Sequence, residues 1–384
     1  MKKVIFLVIN SLNGGGAEHA AARLSVEWSK EYDLKVISLM PITDEDYSFS
    51  GEIISISEKY KGSNWISKIK NAAKEIDELA KKYNPATMIS FLQNANLCLM
   101  FTKYNAKKII SIRNYIDYQY TGIKKMIWNF LIKNFFSRAD YVVSVSKLIN
   151  DQMINKYRIK KEKCVCINNM YEIDRIIEMS NEKLEQKYEE FYKNKKIICN
   201  VGHVSEQKGQ EHLIRIMPEL LKYDKNIGLV IVGNNNSEYA NKLINLAKIL
   251  NVDNNVLFTG KQKNPYKFIK NSMCFVFPSL FEGFPNALVE AMICGKPVIA
   301  SDCKSGPKEI LVDKKGKMYG ILIEDDKSKN LQTLPLNDYE KEYVKYIMDF
   351  IKNYDMRKKY ENKSFERARD FSIDKIYDEW KKII

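Results

Sequence analysis

The stretch Pro278–Leu311, PSLFEGFPNALVEAMICGKPVIASDCKSGPKEIL, decides how the rest of the chain is read. Just before it, Met273 to Phe277 is short and apolar, which predicts a buried strand. A loop follows with Glu282, Gly283, Phe284 and Pro285. Pro285 suits a helix start, because its missing N–H costs nothing there. From Asn286 to Cys294 the apolar residues Ala287, Leu288, Ala291 and Met292 recur at helical spacing. Gly295 fits the left-handed position after a helix, and Pro297 forbids continuation. Val298 to Ala300 reads as the next strand. Ser305-Gly306-Pro307-Lys308 then opens a second helix in the same way.

Two carboxylates mark the ends of this feature, Glu282 in the loop and Glu290 inside the helix. The loop also offers the backbone N–H groups of Gly283 and Phe284 beside a helix N-terminus, which favours anions and polar oxygens. In an open parallel sheet, both loops lie at the carboxyl ends of strands, where ligands bind. A polyhydroxylated, phosphorylated ligand could use the carboxylates for its hydroxyls and the amides for its phosphates. On spacing alone a plainer reading stands beside this one, with Glu282 capping the helix and Glu290 solvated.

The whole string resembles the E-x7-E signature of retaining glycosyltransferases of family 4, which have the GT-B fold. That signature reads E-G-F-P-N-A-L-x-E-A-M-x-x-G-x-P-V-I and then S-G-P-x-E-I-L, and every letter is present. The resemblance implies two Rossmann-like, doubly wound α/β domains facing across a cleft. It implies Glu290 on the ribose hydroxyls of a nucleotide-sugar donor, and Glu282 on the sugar hydroxyls with the Gly283 and Phe284 amides helping. Pro285 and Asn286 complete the donor loop.

Composition sets bounds. The 384 residues suffice for two domains with cores of their own. Lys and Arg number 62 against 48 Asp and Glu, and the net charge of +14 favours nucleotide phosphates or anionic lipid as partners. Nucleic acid is not expected, since no zinc-finger, RRM or helix-turn-helix pattern occurs. The seven cysteines are irregularly spaced and read as reduced thiols of a cytosolic protein. Met1-Lys2-Lys3 before Val4–Ile9 suggests a signal peptide, but the apolar run is too short and reads as a first strand. No run approaches the ~20 apolar residues of a membrane span.

Along the first half, Val4–Ile9 runs into Gly14-Gly15-Gly16 and a helix carrying Ala20, Ala21, Leu24 and Trp28. Strand, glycine loop and helix let backbone approach a phosphate or sugar closely. The resemblance assigns Gly15 and Gly16 to the donor's phosphates through a G-G-x-E loop. Strands are expected at 34–40, 87–92, 109–112, 141–145 and 163–167, and a charged helix at 68–83. Arg113 ends the third of these, and the resemblance carries to it a catalytic role facing the donor sugar. Asp44-Glu45-Asp46 is literally a D-x-D, but with no third acidic partner nearby it reads as a solvated loop, as does Glu324-Asp325-Asp326. In the segment 122–138, Ile123, Ile127, Phe130, Leu131 and Phe135 form one apolar face. Trp128, Ile132 and Phe136 fall on the remaining circumference, among Lys124, Lys125, Lys133 and Arg138. Such a helix suits an anionic membrane surface, or else a core position with stray surface aromatics.

Along the second half, Lys196–Val201 reads as a strand followed by Gly202-His203-Val204-Ser205-Glu206-Gln207-Lys208-Gly209. Lys208 falls at a helix N-terminus and suits a diphosphate as a point charge. The family pattern here is V-G-R-L-x-x-x-K-G, so Lys208 matches, while His203 stands where Arg is usual. His212 reads as a helix-surface residue. Strands at 229–232 and 256–258 end near Gly233 and Lys261, the latter implied by resemblance at the nucleobase. The expected organisation is 1–180 as acceptor domain, 181–195 as linker, 196–365 as donor domain, and 366–384 as a helix crossing back.

The resemblance implies a retaining, metal-independent transferase with no cofactor beyond its nucleotide-sugar donor, UDP-Gal or UDP-GalNAc/GlcNAc. The implied acceptor is a polyprenyl-diphosphate-linked glycan in surface polysaccharide or glycan assembly. The expected location is cytoplasmic, peripheral to the inner leaflet of the cell membrane. A weakly active or non-catalytic subunit that binds nucleotide sugar or lipid is the alternative, and the His203 departure motivates it.

Overall fold

The computed structural model describes residues 2–44, 46–324 and 335–384. The chain divides into two compact units, Met1–Tyr171 with Ile373–Ile384, and Glu172–Ser372. Glu45, Asp325 and Asp326 of the two acidic runs lie outside the described residues.

The first unit is built on a parallel sheet of seven strands: β1 (Val4–Ile9), β2 (Asp33–Ser38), β3 (Glu52–Ser55), β4 (Thr87–Phe91), β5 (Lys107–Ile112), β6 (Tyr141–Ser144) and β7 (Cys164–Cys166). Their spatial order is β3-β2-β1-β4-β5-β6-β7. Every pairing is parallel, with Val4 opposite Asp33 on one side of β1 and Ile5 opposite Thr87 on the other. The strands read as unbroken apolar runs because helices cover both faces, so side chains of either parity are buried. β3 escapes the sequence reading for the opposite reason. It is a four-residue edge strand that is mostly exposed, and only its ladder to β2 makes it a strand. The terminal helix Ile373–Lys381 completes this unit: Trp380 meets Trp28 edge to face at 5.4 Å and stacks on Phe91 at 6.1 Å.

The second unit repeats the plan with six strands: β8 (Lys196–Val201), β9 (Ile227–Val232), β10 (Val256–Gly260), β11 (Cys274–Phe277), β12 (Val298–Ser301) and β13 (Ile321–Ile323). The order β10-β9-β8-β11-β12-β13 places β8 at the reversal of strand order, as β1 is in the first sheet. The stretch 181–195 contributes the Gln186–Lys193 helix to this unit. There Tyr188 packs edge to face on Phe268, and its hydroxyl donates to the Thr259 carbonyl at 3.3 Å. None of the seven cysteines is in a disulfide.

Candidate functional site

In the second sheet the loops that leave the carboxyl ends of β8 and β11 meet at the reversal of strand order, the position where doubly wound sheets bind ligands. After β8 the chain passes Gly202, makes one tight turn at Glu206–Lys208, and starts the Gln210–Tyr223 helix from Gly209. Gly209 has φ +63°, and a Cβ there would stand 2.2 Å from the Pro278 carbonyl oxygen. Only glycine lets the two loops come this close. The Leu280 N–H donates to the Gln207 carbonyl at 2.8 Å, and the Gln207 side chain returns a bond to the Phe281 carbonyl at 2.9 Å.

That backbone stitch delivers the key contact. Lys208 Nζ donates to Glu282 Oε1 at 2.6 Å, 74 residues away in sequence. The two side chains retain 22% and 9% of their exposure, so the pair is half-buried and pre-oriented rather than a mobile surface bridge. The ammonium also lies 5.5 Å from the centre of the Phe277 ring. With Oε1 taken by lysine, Oε2 of Glu282 is left to accept from a ligand hydroxyl, while the ammonium has further protons to give.

Gly202 and Gly233 keep neighbouring backbone close: a Cβ on Gly233 would lie 1.9 Å from the Gly202 carbonyl oxygen. The Gly233 N–H donates to the Gly260 carbonyl at 3.0 Å, and Lys261 follows at the surface. The His203 side chain is exposed, and its carbonyl accepts from the buried Gln210 amide at 3.2 Å.

The 282–286 loop is braced from the loop after β12. Ser305 Oγ donates to the Gly283 carbonyl at 2.9 Å, and a Cβ on Gly306 would strike the Pro285 ring at 2.4 Å. Phe284 is buried against Phe371, with ring centres 5.6 Å apart. Pro285 caps the Asn286–Ile293 helix, and Asn286 is half-buried at its start. Glu290, only 5% exposed, points into the unit, so its solvated reading does not hold. Burial, aided by the Glu290 carboxylate, pushes the Cys294 thiol up to about 12.

In the first unit Gly14, Gly15 and Gly16 lie exposed beyond β1. Gly15 caps the Gly16–Glu31 helix, and its N–H donates to Glu18 Oε2 at 3.1 Å. Burial raises the Glu18 carboxyl, while backbone N–H groups and the nearby Arg113 charge pull it back down. Arg113 itself is 5% exposed. Its guanidinium bonds Asn169 Oδ1, reaches Ser111 Oγ at 3.4 Å, and lies 5.1 Å from the Phe91 ring centre. Burial lowers its pKa to about 10, against the pull of Tyr171 and Glu18. The Arg113 charge thus acts on Glu18, whose Oε2 accepts from the Gly15 N–H of the glycine loop. Asn169 carries no local sequence signal, whereas Glu18 is the acidic letter of the G-G-x-E loop. For Glu18 the signal was there, a carboxylate three residues after a capping position.

His212 departs from its sequence reading. It is buried, and Nδ1 lies 3.0 Å from Glu340 Oε1, a carboxylate shared with Arg215 Nε at 2.6 Å. Asp46 accepts from Asn13 at 2.8 Å and from the Thr43 hydroxyl at 2.8 Å, so it ties its loop to the glycine loop. Among the described residues no three His, Cys, Asp or Glu side chains gather in a way that could hold a metal ion.

Two Rossmann-like units of parallel strands give the chain the GT-B plan of α/β protein, a plan its solved structural neighbours share. Residues 181–367 match the family described as Glycosyl transferases group 1. Over 383 residues the chain is 34% identical to an uncharacterized glycosyltransferase of Methanocaldococcus jannaschii, with 93% of each covered. The chain belongs to the group 1 glycosyl transferases. It is also 27% identical, with 96% of each chain covered, to a Campylobacter jejuni protein. That relative is named N-acetylgalactosamine-N,N'-diacetylbacillosaminyl-diphospho-undecaprenol 4-alpha-N-acetylgalactosaminyltransferase. The fold is shared with a crystal structure of Anabaena HepE in complex with UDP and glucose, at TM-score 0.78 and 16% identity over 99% of this chain and 98% of that one. A glycosyltransferase from Rickettsia africae superposes at TM-score 0.77 and 20% identity, covering 100% and 97%.

Proposed function

We propose that this glycosyltransferase moves a hexose or N-acetylhexosamine, with retention, from UDP-Gal or UDP-GalNAc/GlcNAc to a polyprenyl-diphosphate-linked glycan. The observation that carries the donor side is the Lys208–Glu282 pair, held at 2.6 Å across the switch point of the second sheet. Lys208 and the N-terminus of the Gln210–Tyr223 helix neutralise the leaving diphosphate. Glu282 and the Gly283 and Phe284 amides hold sugar hydroxyls, and Glu290 holds the ribose. Gly202, Gly233 and Lys261 frame the nucleotide. Arg113 acts as a positioning residue through Glu18. The acceptor oxygen forms its bond to the anomeric carbon on the face from which the phosphate leaves, and its proton passes to that phosphate oxygen. No metal and no resident cofactor enter this scheme.

The lipid-linked acceptor draws support from two Campylobacter jejuni relatives named for undecaprenol-linked substrates, 27% and 24% identical to this chain. The UDP donor draws support from the UDP-containing HepE structure of the same fold. On this reading the protein works at the inner surface of the cell membrane, with the 122–138 segment against anionic lipid. Among the described residues no helix is long and apolar enough to cross a membrane.

The test is transfer from UDP-sugars to a lipid-linked acceptor, with product anomers read by NMR. The expected result is an α-linked product from an α-linked donor, with Lys208→Met and Glu290→Gln each reducing kcat/KM by about a hundredfold or more. Unchanged turnover in both variants removes the site assignment. Saturable UDP binding without any turnover favours a binding subunit instead. For the membrane, flotation with anionic vesicles is expected to fall when Lys124, Lys125 and Lys133 are changed to Glu, and no change would end that part of the reading.

A further inference from the structure

The Gly122–Phe135 helix turns its broad apolar face outward. Ile123, Met126 and Phe130 are 76%, 70% and 63% exposed, while Trp128, Ile132 and the following Phe136 are buried. The outward face, with Trp65 and Ile66 of the Trp65–Tyr83 helix, walls a groove of about 690 Å³. Aromatic pairs fix its ends: Trp65 meets Trp128 at 5.4 Å, and Phe101 stacks on Phe135 at 4.8 Å. An apolar surface of this kind marks a binding site on a folded protein.

At Lys70 and Phe101, which line both, the groove meets a second cavity of about 600 Å³ with a different character. Lys70, Lys74, Lys81 and Lys103 line it, against the carboxylates of Asp77 and Glu78. Asp77 is occupied by the backbone N–H groups of Lys103 and Tyr104, each at 2.9 Å. Glu78 is paired with Lys81 at 2.8 Å. The Lys70, Lys74 and Lys103 side chains form no ion pair among the described residues. A hydrocarbon slot opening into a lysine-lined chamber has the chemistry of an amphiphile with an anionic head.

The place of the chamber decides which amphiphile. Lys81 lies in the last turn of the helix before β4, and Lys103 lies between the Gln93–Phe101 helix and β5. The chamber therefore stands at the amino ends of these parallel strands, whereas the glycine loop follows the carboxyl end of β1. A head group held there is on the opposite edge of the sheet from the glycine loop, roughly a strand's length away, a span that an acceptor diphosphate would have to bridge with its glycan and a bilayer phospholipid would not. We propose that the first unit carries a site for one anionic phospholipid of the bilayer, with an acyl chain in the groove and the phosphate among Lys70, Lys74 and Lys103. This rests on the reading that transfer takes place at a membrane.

The probe is dihexanoyl-phosphatidylglycerol as monomer, titrated calorimetrically against the full chain, with dihexanoyl-phosphatidylcholine as the neutral control. One molecule of the anionic lipid is expected to bind, more tightly than the neutral one. Lys74→Glu with Lys103→Glu should weaken it on the order of tenfold or more and abolish the preference over the neutral lipid. Phe130→Ser with Ile127→Ser, both on an exposed face, should weaken both lipids alike without moving the thermal midpoint. Equal binding of the two lipids, or unchanged binding in both double variants, overturns the site. Sugar transfer in detergent is measured in parallel. In the wild type, absence of transfer alongside the anionic-lipid preference counts against the acceptor reading, and transfer without any such preference counts against the lipid site alone.

Discussion

Gly209 shows how narrowly single residues are constrained at the candidate donor site. A side chain there meets both a left-handed φ of +63° and a backbone oxygen 2.2 Å from its Cβ. The conformation alone costs ~1–2 kcal/mol for a non-glycine residue, and the collision adds to it. Gly209→Ala is therefore expected to lower unfolding free energy by more than about 2 kcal/mol, read from urea denaturation, and a change below about 0.5 kcal/mol would contradict the geometry. Glu282→Gln keeps shape but removes the charge that holds Lys208, so kcat/KM should fall with little change in thermal midpoint. A parallel loss of both would make the pair structural only. Lys208, Glu282 and Glu290 are marked in the sequence by the whole motif string rather than by spacing alone, and the structure brings Lys208 to Glu282 and buries Glu290. Arg113 and His212 were not legible in the same way. Contacts with a distant segment, Asn169 in one case and Glu340 in the other, set their surroundings, and no local pattern encodes them.

At the scale of elements, the Asp338–Lys352 helix is clamped to the Gln210–Tyr223 helix through Glu340, which is fully buried between His212 and Arg215. Removing the carboxylate strands a buried guanidinium, so Glu340→Ala should cost about 3–5 kcal/mol. Burial alone would raise the Glu340 carboxyl, but bonds from His212 and Arg215 outweigh it and hold the group below its usual value. A carboxyl depressed by folding stabilises above its unfolded pKa and loses that contribution as pH falls through the folded one. Wild type should therefore lose stability more steeply than Glu340→Gln below about pH 4; equal slopes would show the clamp is not charged. The strands around each core were readable as apolar runs, whereas edge strand β3 was not, because pairing rather than composition makes it. Helix periodicity found two apolar faces in the 122–138 segment but not their assignment. The broader one stays exposed, and the narrower one, Trp128, Ile132 and Phe136, enters the core. Only the partners packed against a helix settle which stripe is inward.

At the scale of the whole molecule, the recurrence of one strand order in both units explains why the fold class was open to sequence reading: alternating strand and helix signals leave few topologies. On the proposed membrane reading, the net charge of +14 would give recruitment to an anionic surface a long-range component. Raising ionic strength should weaken vesicle binding without changing affinity for neutral detergent micelles, and salt-independent flotation would assign recruitment to the apolar groove alone. The donor claim is tested most directly by calorimetric titration of UDP into the wild type, Lys208→Met and Glu290→Gln, with folding checked by circular dichroism. The expected result is one UDP per chain, weakened on the order of tenfold or more by each substitution. Wild-type affinity in both folded variants would contradict a nucleotide held by these two side chains.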